Sequence, residues 1–262
     1  MNLTDKVVLV TGGSGGLGEQ ICYEAAKKGA IVITCARRSD RIEEVKETCS
    51  QLSNKPAYAF PLDISDPDSV DELLEKVYTE IGRVDVLVNN AGFGIFDNFA
   101  EFDLKRAREM FEVNVLGMMV LTQRIVIEML KQKRGHIINV ASMAGKMATP
   151  KSTVYSATKF AVLGFSNALR LELKPAGIHV TTVNPGPIST SFFDKADPSG
   201  DYLASVGMFV LEPQKLATTI VRSMEHPRRE INRPRVMEAA SRFYTLFPHI
   251  GDFLAGGLFN RK

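Results

Sequence analysis

The chain has 262 residues, 45% hydrophobic and 24% charged, as in a globular protein with enough apolar residues for a large core. Its formal net charge of +2 argues against a nucleic-acid partner, because the basic residues are balanced by acids. Cys22, Cys35 and Cys49 are odd in number and lack Cys-x2-Cys spacing, so neither a disulfide framework nor a zinc site is predicted, and a reducing cytoplasmic compartment is expected.

No membrane span is predicted. The first six residues lack the apolar core of a signal peptide. The longest apolar run, 113–130, is interrupted by Gln123, Arg124 and Glu128, which favours a buried or interface helix.

The first element is a β-branched run, Val7–Val10, typical of a strand buried on both faces of a parallel sheet. It leads into a glycine-rich turn, and a helix is expected over about 19–28. Although an ordinary flexible turn shares this composition, a glycine turn between strand and helix suits a dinucleotide pyrophosphate, which the free N–H groups of the helix attract. There Gly12 permits the tight turn, Gly16 lets the backbone approach the ligand and Gly18 lets the helix pack on the strand. The predicted cofactor contacts are Gly12, Ser14, Gly16, Leu17 and Gly18.

The second strand, 31–35, is followed by Ala36, Arg37 and Arg38 where many dinucleotide folds carry an acid for the adenosine ribose. A carboxylate would repel a 2′-phosphate, whereas a guanidinium binds one through paired charge-assisted hydrogen bonds. Arg37 and Arg38 therefore predict NADP(H) over NAD(H), the alternative being two solvated turn residues.

Helices are predicted at 41–52 and at 67–80, the second capped by Asp66. Between them, residues 57–64 predict a strand whose Asp63–Ile64 end meets the adenine. A fourth strand, 84–88, is closed by Asn89-Asn90-Ala91-Gly92, whose amides and small residues suit close approach of a cofactor, although a plain turn shares that composition.

A helix over 104–131 contains Asn114, a fifth strand over 136–142 ends in Ser142, and a sixth covers 178–183. Strands and helices alternate without a linker, which predicts one α/β domain, a Rossmann-like doubly wound parallel sheet with helices on both faces. Ligands of such sheets bind at the carboxyl ends of the strands. Further cofactor contacts are therefore expected from Asp63, Ile64, Asn90, Ala91, Gly92, Pro185, Gly186, Ile188 and Thr190.

Between these two strands, a helix is predicted from an N-cap at Ser152 to just before Pro175. Residues four apart share a helix face, so Tyr155 and Lys159 are neighbours, and an ammonium beside a phenol lowers the phenol pKa. Such a tyrosine can exchange a proton with a substrate oxygen near neutral pH. Spacing alone does not decide this, because Tyr23 and Lys27 are also four apart on a predicted helix.

The combined motifs resemble those of the short-chain dehydrogenases/reductases of the soluble type, in order over residues 5 to about 225. The matching residues are Thr11-Gly12-x3-Gly16-x-Gly18, Asp63, Asn89-Asn90-Ala91-Gly92, Asn114, Ser142, Tyr155-x3-Lys159 and Pro185-Gly186-x3-Thr190. In that family the interval from the serine selects Tyr155 and Lys159 over Tyr23 and Lys27.

The resemblance implies a role for each of four catalytic residues. Tyr155 would be the general acid in carbonyl reduction or the base in alcohol oxidation, and Ser142 would orient the substrate oxygen. Lys159 would hold the nicotinamide ribose and lower the Tyr155 pKa. Asn114 would stabilise a helix distortion and a proton-relaying water. The position of Arg37 usually accompanies NADP(H) in this family.

The resemblance also locates the substrate and a subunit interface. Residues 187–211 are expected to be a substrate lid, and an apolar ketone, aldehyde or secondary alcohol is predicted from Phe93, Phe96, Met143, Phe192, Phe193, Tyr202, Met208 and Phe209. The stripe Ala157, Ala161, Gly164 and Ala168 suits close helix packing, and predicts a homodimer.

Residues 235–262 depart from the family pattern and place the usual tetramer in doubt. Their apolar residues are expected to cover their own domain or the partner subunit, with a membrane surface or a second protein as the alternative.

The four histidines show no ligand spacing and no metal is implied. A non-catalytic NADP(H)-binding redox sensor or assembly protein remains an alternative function, against which stand all four catalytic residues. A sugar epimerase or dehydratase is opposed by the glycine spacing and the short substrate region.

Overall fold

A parallel β-sheet forms the centre of the computed structural model, which describes residues 2–147, 149–197 and 207–258. Within these residues the sheet has seven strands in the order β3-β2-β1-β4-β5-β6-β7, and every neighbouring pair is parallel. The order reverses between β1 and β4, as in a doubly wound fold. The strands are β1 Val7–Thr11, β2 Ile31–Ala36, β3 Tyr58–Pro61, β4 Val86–Asn89, β5 Gly135–Val140, β6 Ile178–Pro185 and β7 Glu230–Arg233.

The connections between the strands are helical. The α-helices are α1 Gly16–Lys27, α2 Ser39–Ser53, α3 Pro67–Glu80, α4 Leu104–Phe111, α5 Met118–Gln132, α6 Thr153–Leu173, α7 Phe192–Ala196, α8 Pro213–Glu225, α9 Arg235–Leu246 and α10 Pro248–Leu258. The predicted cap of α3 is confirmed, since the Asp66 side chain accepts a hydrogen bond from the Asp68 N–H.

The core has two layers because successive strand residues point to opposite faces of the sheet. Val8 and Val10 of β1 pack with α1, α2 and α8 on one face. Val7 and Leu9 of the same strand pack with α3, α5 and α6 on the other. Helices therefore cover both faces, which confirms the predicted fold class.

The predicted long helix over 104–131 is interrupted, because residues Glu112–Gly117 between α4 and α5 form a π-helix. The stretch Leu104–Gln132 is long and apolar enough to cross a membrane by length and composition. In the fold its Leu121, Ile125 and Met129 are fully buried against the sheet, as in a core helix.

Two local predictions differ from the structure in detail, and one strand was missed. Asp63 and Ile64 lie beyond β3, which ends at Pro61. Ser152 stands at the N-cap of α6, but its hydroxyl donates to the Thr149 carbonyl at 2.7 Å and does not cap the helix. The seventh strand, β7, was not predicted.

Candidate active site

The glycine turn after β1 has the geometry that its sequence predicts. Gly12 and Gly16 have φ of 66° and 57°, in the left-handed region that favours glycine. A Cβ at Gly18 would lie 2.3 Å from the Gly12 carbonyl oxygen, so only glycine allows α1 to approach β1 this closely. No described side chain caps the first turn of α1, so its backbone N–H groups can bind an anion. This cradle fits a dinucleotide pyrophosphate.

The two arginines after β2 have different surroundings. The Arg38 Nη2 donates to both the carbonyl oxygen and the Oγ of Ser14, each at 3.0 Å, and thus lies against the glycine turn. Arg37 lies near Asp63. Hydrogen bonds from Ser65, with a smaller contribution from the charge of Arg37, hold the pKa of Asp63 below its ordinary value. Both arginines line the same cleft.

The turn after β4 is tied to β1 by side chains. The Asn90 Nδ2 donates to the carbonyl oxygens of Thr11 and Gly12 at 3.0 and 3.3 Å. The Thr11 Oγ1 accepts from the N–H groups of Asn90 and Ala91, both at 3.1 Å. The Asn90 amide therefore holds the glycine turn in place, and the Thr11 hydroxyl holds the turn after β4. The sequence did not reveal either positioning role. Asn90 still lines the cleft.

Asn114 lies in the π-helix and is 3% exposed. Its amide donates to the Phe93 carbonyl at 2.8 Å and accepts from the Phe93 N–H at 3.0 Å. A further bond, at 3.2 Å, joins its Nδ2 to the Thr158 Oγ1 of α6. Asn114 thus connects the turn after β4 to the helix that carries Tyr155, and it lies behind the cleft wall.

Lys159 is a buried cation at the site, and its pKa is lowered. Its side chain is buried, its Nζ donates to the Val140 carbonyl at 3.0 Å, and it lies 5.7 Å from the centroid of the Tyr155 ring. Burial disfavours the charged form and lowers the pKa of Lys159 to about 8. Ser142, two residues beyond β5, accepts from the Ala144 N–H at 3.1 Å and contacts the Pro185 carbonyl.

Most of these groups face one continuous cleft of about 860 Å³ at the carboxyl ends of the strands. The cleft places Ser142, Tyr155 and Lys159 at one end and the glycine turn with its arginines at the other. All predicted site residues line it except Gly18 and Asn114, which support it from behind. Those in its wall are Gly12, Ser14, Gly16, Leu17, Arg37, Arg38, Asp63, Ile64, Asn90, Ala91, Gly92, Ser142, Tyr155, Lys159, Pro185, Gly186, Ile188 and Thr190.

Aromatic rings surround Tyr155 at the substrate end. Phe96 meets it edge-on with ring centroids 5.6 Å apart, and Phe192 lies at 5.8 Å. The Phe193 ring packs on Phe192 at 5.2 Å. Phe93 and Met143 also line the cleft as predicted, but Phe209, in the 3-10 turn Gly207–Phe209, does not. Tyr202 and the Met208 side chain lie outside the described residues.

One wall residue comes from the region that departs from the family pattern. Met237 of α9 lines the cleft, and its Sδ would lie 2.7 Å from a Cβ at Gly186. Nothing near Met237 in the sequence marks it as a site residue, since it is distant from every motif.

Comparisons with known proteins agree with this geometry. The model of the family described as short chain dehydrogenase matches residues 6–199. An uncharacterized oxidoreductase of Staphylococcus aureus (strain USA300) is 32% identical over 226 residues, covering 86% of this chain and 94% of the relative.

Two solved structures with bound dinucleotides have similar folds. An alcohol dehydrogenase from the archaeon Thermococcus sibiricus, complexed with 5-hydroxy-NADP, has a TM-score of 0.77 at 26% identity, covering 87% of this chain and 94% of that one. The 3-ketoacyl-(acyl-carrier-protein) reductase from Brucella melitensis, complexed with NADH, has a TM-score of 0.80 at 29% identity, covering 88% and 97%.

Proposed function

The chain belongs to the short-chain dehydrogenase family, and from this premise we propose that it is an NADP(H)-dependent oxidoreductase acting on an apolar ketone or aldehyde and the corresponding alcohol. One observation carries the proposal. A single cleft joins a pyrophosphate cradle to Ser142, Tyr155 and Lys159. A dinucleotide held by its phosphates at one end would extend toward these three side chains at the other.

The side chains have complementary tasks in the proposed reduction. When bound, NADPH supplies the hydride for the carbonyl carbon. The Ser142 hydroxyl donates a hydrogen bond to the substrate oxygen and fixes its position. The Tyr155 hydroxyl donates its proton to that oxygen as negative charge develops there, and in the reverse direction the phenolate accepts it. Lys159 holds the ribose of the cofactor and, when charged, favours the Tyr155 phenolate. Asn114 fixes the positions of the π-helix and the Phe93 backbone relative to α6 through its hydrogen bonds.

The preference for NADP(H) rests on the arginines after β2. Arg38 is already bonded to Ser14 of the glycine turn, so a guanidinium is fixed beside the position expected for a ribose 2′-phosphate. Asp63 lies close to Arg37, whose positive charge partly offsets that of the carboxylate. Relatives with NADP and NADH are both known by structure, so the arginines and not the family support the choice.

The preference for an apolar substrate rests on the rings of Phe93, Phe96, Phe192 and Phe193, which line the cleft around Tyr155. Besides Lys159, the charged residues Asp194 and Lys195 on α7 also line the cleft. We assign residues 187–211, of which α7 is part, to a substrate lid within a single domain.

The proposed homodimer uses the outer face of α6. Ala157, Gly164 and Ala168 are exposed there and Ala161 is half-buried. Phe160 and Leu171 on the same helix are 49% and 71% exposed. Small residues beside exposed apolar ones suit helix packing against a second copy. A cytoplasmic location is part of the same proposal.

Two assays test this function. The first follows NADPH oxidation with ketones, aldehydes, quinones and steroids, with Tyr155→Phe as the blank. Turnover of an apolar carbonyl compound is expected. Tight NADPH binding with no turnover across all these classes would instead favour a non-catalytic NADP(H)-binding protein.

The second assay compares NADPH and NADH binding in the parent, Arg37→Asp and Arg38→Asp. The parent should prefer NADPH by roughly 10- to 100-fold, and Arg38→Asp should remove more of that preference than Arg37→Asp, because Arg38 contacts the glycine turn. Equal affinity of the parent for both dinucleotides would contradict the NADP(H) assignment.

A further inference from the structure

The apolar residues after Pro234 differ in their surroundings. Leu246 and Phe253 are 72% and 79% exposed, so the expectation that the apolar residues of this region cover their own domain is wrong for these two. Met237 has the opposite position, because it lies in the wall of the cleft. Of the described residues 207–258, Met237 alone lines that wall, and no step of the proposed reaction uses it.

Met237 fills the space beside Gly186 that a side chain at position 186 would need. A Cβ at Gly186 would lie 2.7 Å from the Met237 Sδ and 3.1 Å from the Pro234 Cδ. The Gly186 N–H donates to the Arg233 carbonyl at 2.7 Å, which fixes the segment after β6 against the end of β7. The surface of the cleft next to Gly186 is therefore supplied by a thioether from α9.

Two more methionines line the cleft, both in the turn after β5. They are Met143 and Met147, and α9 packs against the part of the turn that contains Met143. Lys146 stands between them in the sequence, but it is not part of the wall, and its ammonium pairs with Glu230 of β7. We call Met143, Met147 and Met237 the methionine wall. Methionine is apolar, unbranched and flexible, so this wall can adapt to ligands of different shape.

The aromatic rings and the methionine wall lie toward different strands. Phe96 follows β4, Ser142 follows β5 and Met237 follows β7. Phe192 of α7 reaches the β4 side, since its ring would lie 2.9 Å from a Cβ at Gly94. Neighbouring strands are about 4.8 Å apart, so the carboxyl end of β7 is about 10 Å from that of β5 and about 14 Å from that of β4. Ser142 therefore has aromatic rings toward one side and Met237 toward the other.

We propose that the methionine wall binds a second apolar group of the substrate and that Met237 determines specificity there, a proposal that rests on the proposed function. The substrate class is then a ketone with an aromatic group on one side of the carbonyl and an alkyl chain on the other. The aromatic group packs edge-on against Phe96 and Phe192, and the alkyl chain lies along the methionine wall.

The redox step is the one already proposed. The carbonyl carbon receives a hydride and the oxygen receives the Tyr155 proton, so the ketone becomes a secondary alcohol as NADPH becomes NADP+. An aldehyde carries hydrogen in place of the second group and leaves the methionine wall unused. Aldehydes and ketones with the same aromatic group therefore separate the effect of the wall from the effect of the catalytic residues.

The test measures kcat/KM for NADPH oxidation with benzaldehyde, acetophenone, butyrophenone and octanophenone. The parent should gain roughly fourfold in kcat/KM for each added methylene that the wall buries. For the variants the readout is the ratio of kcat/KM for octanophenone to kcat/KM for benzaldehyde, in which effects on hydride and proton transfer cancel. M237L keeps an apolar side chain of similar volume and should retain the ratio within about threefold. M237Q keeps the length but places an amide against the alkyl chain, and should lower the ratio by about tenfold.

V236A is the matched control, because Val236 adjoins Met237 but is exposed and outside the cleft wall, and it should keep the parent's ratio. NADPH fluorescence titration establishes that each variant is folded and binds the dinucleotide. The proposal is overturned if M237Q keeps the parent's ratio, or if M237L and M237Q lose it equally, because apolar contact would then not set it. It is also overturned if the parent reduces octanophenone no better than acetophenone. A parent that binds NADPH and reduces none of the four compounds would overturn the proposed function and the role of Met237 with it.

Discussion

Two Tyr-x3-Lys pairs in this molecule have the same spacing on a helix and opposite surroundings. Tyr155 and Lys159 lie in α6, and Tyr23 and Lys27 lie in α1. The Tyr23 hydroxyl donates to Glu19 at 2.9 Å, and burial together with Glu19 raises the pKa of Tyr23 to about 12. Lys27 is 44% exposed and pairs with Glu24. Tyr23 therefore stays protonated at neutral pH, and the charge of Lys27 is balanced by an ion pair with Glu24.

At the other pair, the lysine is buried beside an aromatic ring and bonds to a backbone carbonyl. Burial lowers the pKa of Lys159 to about 8, while the Phe96 and Phe192 rings enclose Tyr155. Helix spacing brings a phenol and an amine together in both places. The neighbouring carboxylate in α1, and the cleft and burial in α6, are the differences on which the proposed proton transfer by Tyr155 depends.

The largest expected difference between the pairs is in turnover. Tyr155→Phe should lower kcat by roughly 10²–10⁴-fold, because the proton donor is lost. NADPH binding should be retained, since the ring contacts with Phe96 and Phe192 persist. Tyr23→Phe should leave kcat within about twofold. Steady-state kinetics and NADPH fluorescence titration measure both, and a Tyr155→Phe enzyme with the parent's kcat would remove Tyr155 from the reaction.

The second difference concerns stability. In the folded chain the pKa of Lys159 is lowered from 10.5 to about 8, so the unfolded chain binds this proton more tightly. Charging Lys159 therefore destabilises the fold by roughly 3 kcal/mol below pH 8, and the penalty disappears as the pH rises to about 10.5. Lys159→Met removes the charge and also the bond to Val140, worth about 1 kcal/mol. The free energy of unfolding of the cofactor-free protein should rise by about 2 kcal/mol at pH 7.

Urea unfolding at pH 7 and pH 10 measures this change, and the stabilisation should be smaller at pH 10. Lys27→Met is the control and should change stability by less than about 0.5 kcal/mol, because Lys27 is partly solvated. A Lys159→Met protein that is less stable than the parent at pH 7 would mean that the buried charge is compensated in the fold.

The smallest expected effect concerns the α1 pair itself. Glu19→Gln removes the carboxylate that accepts from Tyr23, so the pKa of Tyr23 should fall from about 12 toward its ordinary value. Burial should keep it above 10. Ultraviolet difference titration against Tyr23→Phe measures the shift, and kcat should not change. A Tyr23 pKa that does not move would assign the whole shift to burial.

The sequence predicts the fold and most of the cleft because local rules determine them. Buried β-branched strands and the glycines at Gly12 and Gly18 depend on neighbours a few residues away, and the structure shows the positive φ of Gly12 and the close approach of α1 to β1 at Gly18. The strand β7 escaped prediction because it has only four residues, three of them polar, at the edge of the sheet.

The positioning role of Asn90 and the wall residue Met237, which the sequence did not reveal, depend on contacts between distant segments. Asn90 bonds to β1 across 79 residues, and Met237 reaches the cleft wall from α9. Two adjacent arginines after β2 were predicted as one phosphate site, whereas only Arg38 contacts Ser14. The direction of each side chain at the end of β2 determines which arginine contacts Ser14, and no periodicity in the sequence indicates that direction.

The most direct test of the central claim is a crystal structure of the protein with NADP+. We expect the pyrophosphate at the turn that contains Gly12 and Gly16, the 2′-phosphate beside Arg38, and the Lys159 ammonium about 3 Å from a ribose hydroxyl. The hydroxyl groups of Tyr155 and Ser142 should face the nicotinamide C4 from the same side. A nicotinamide ring bound away from these two hydroxyl groups would contradict the proposed function.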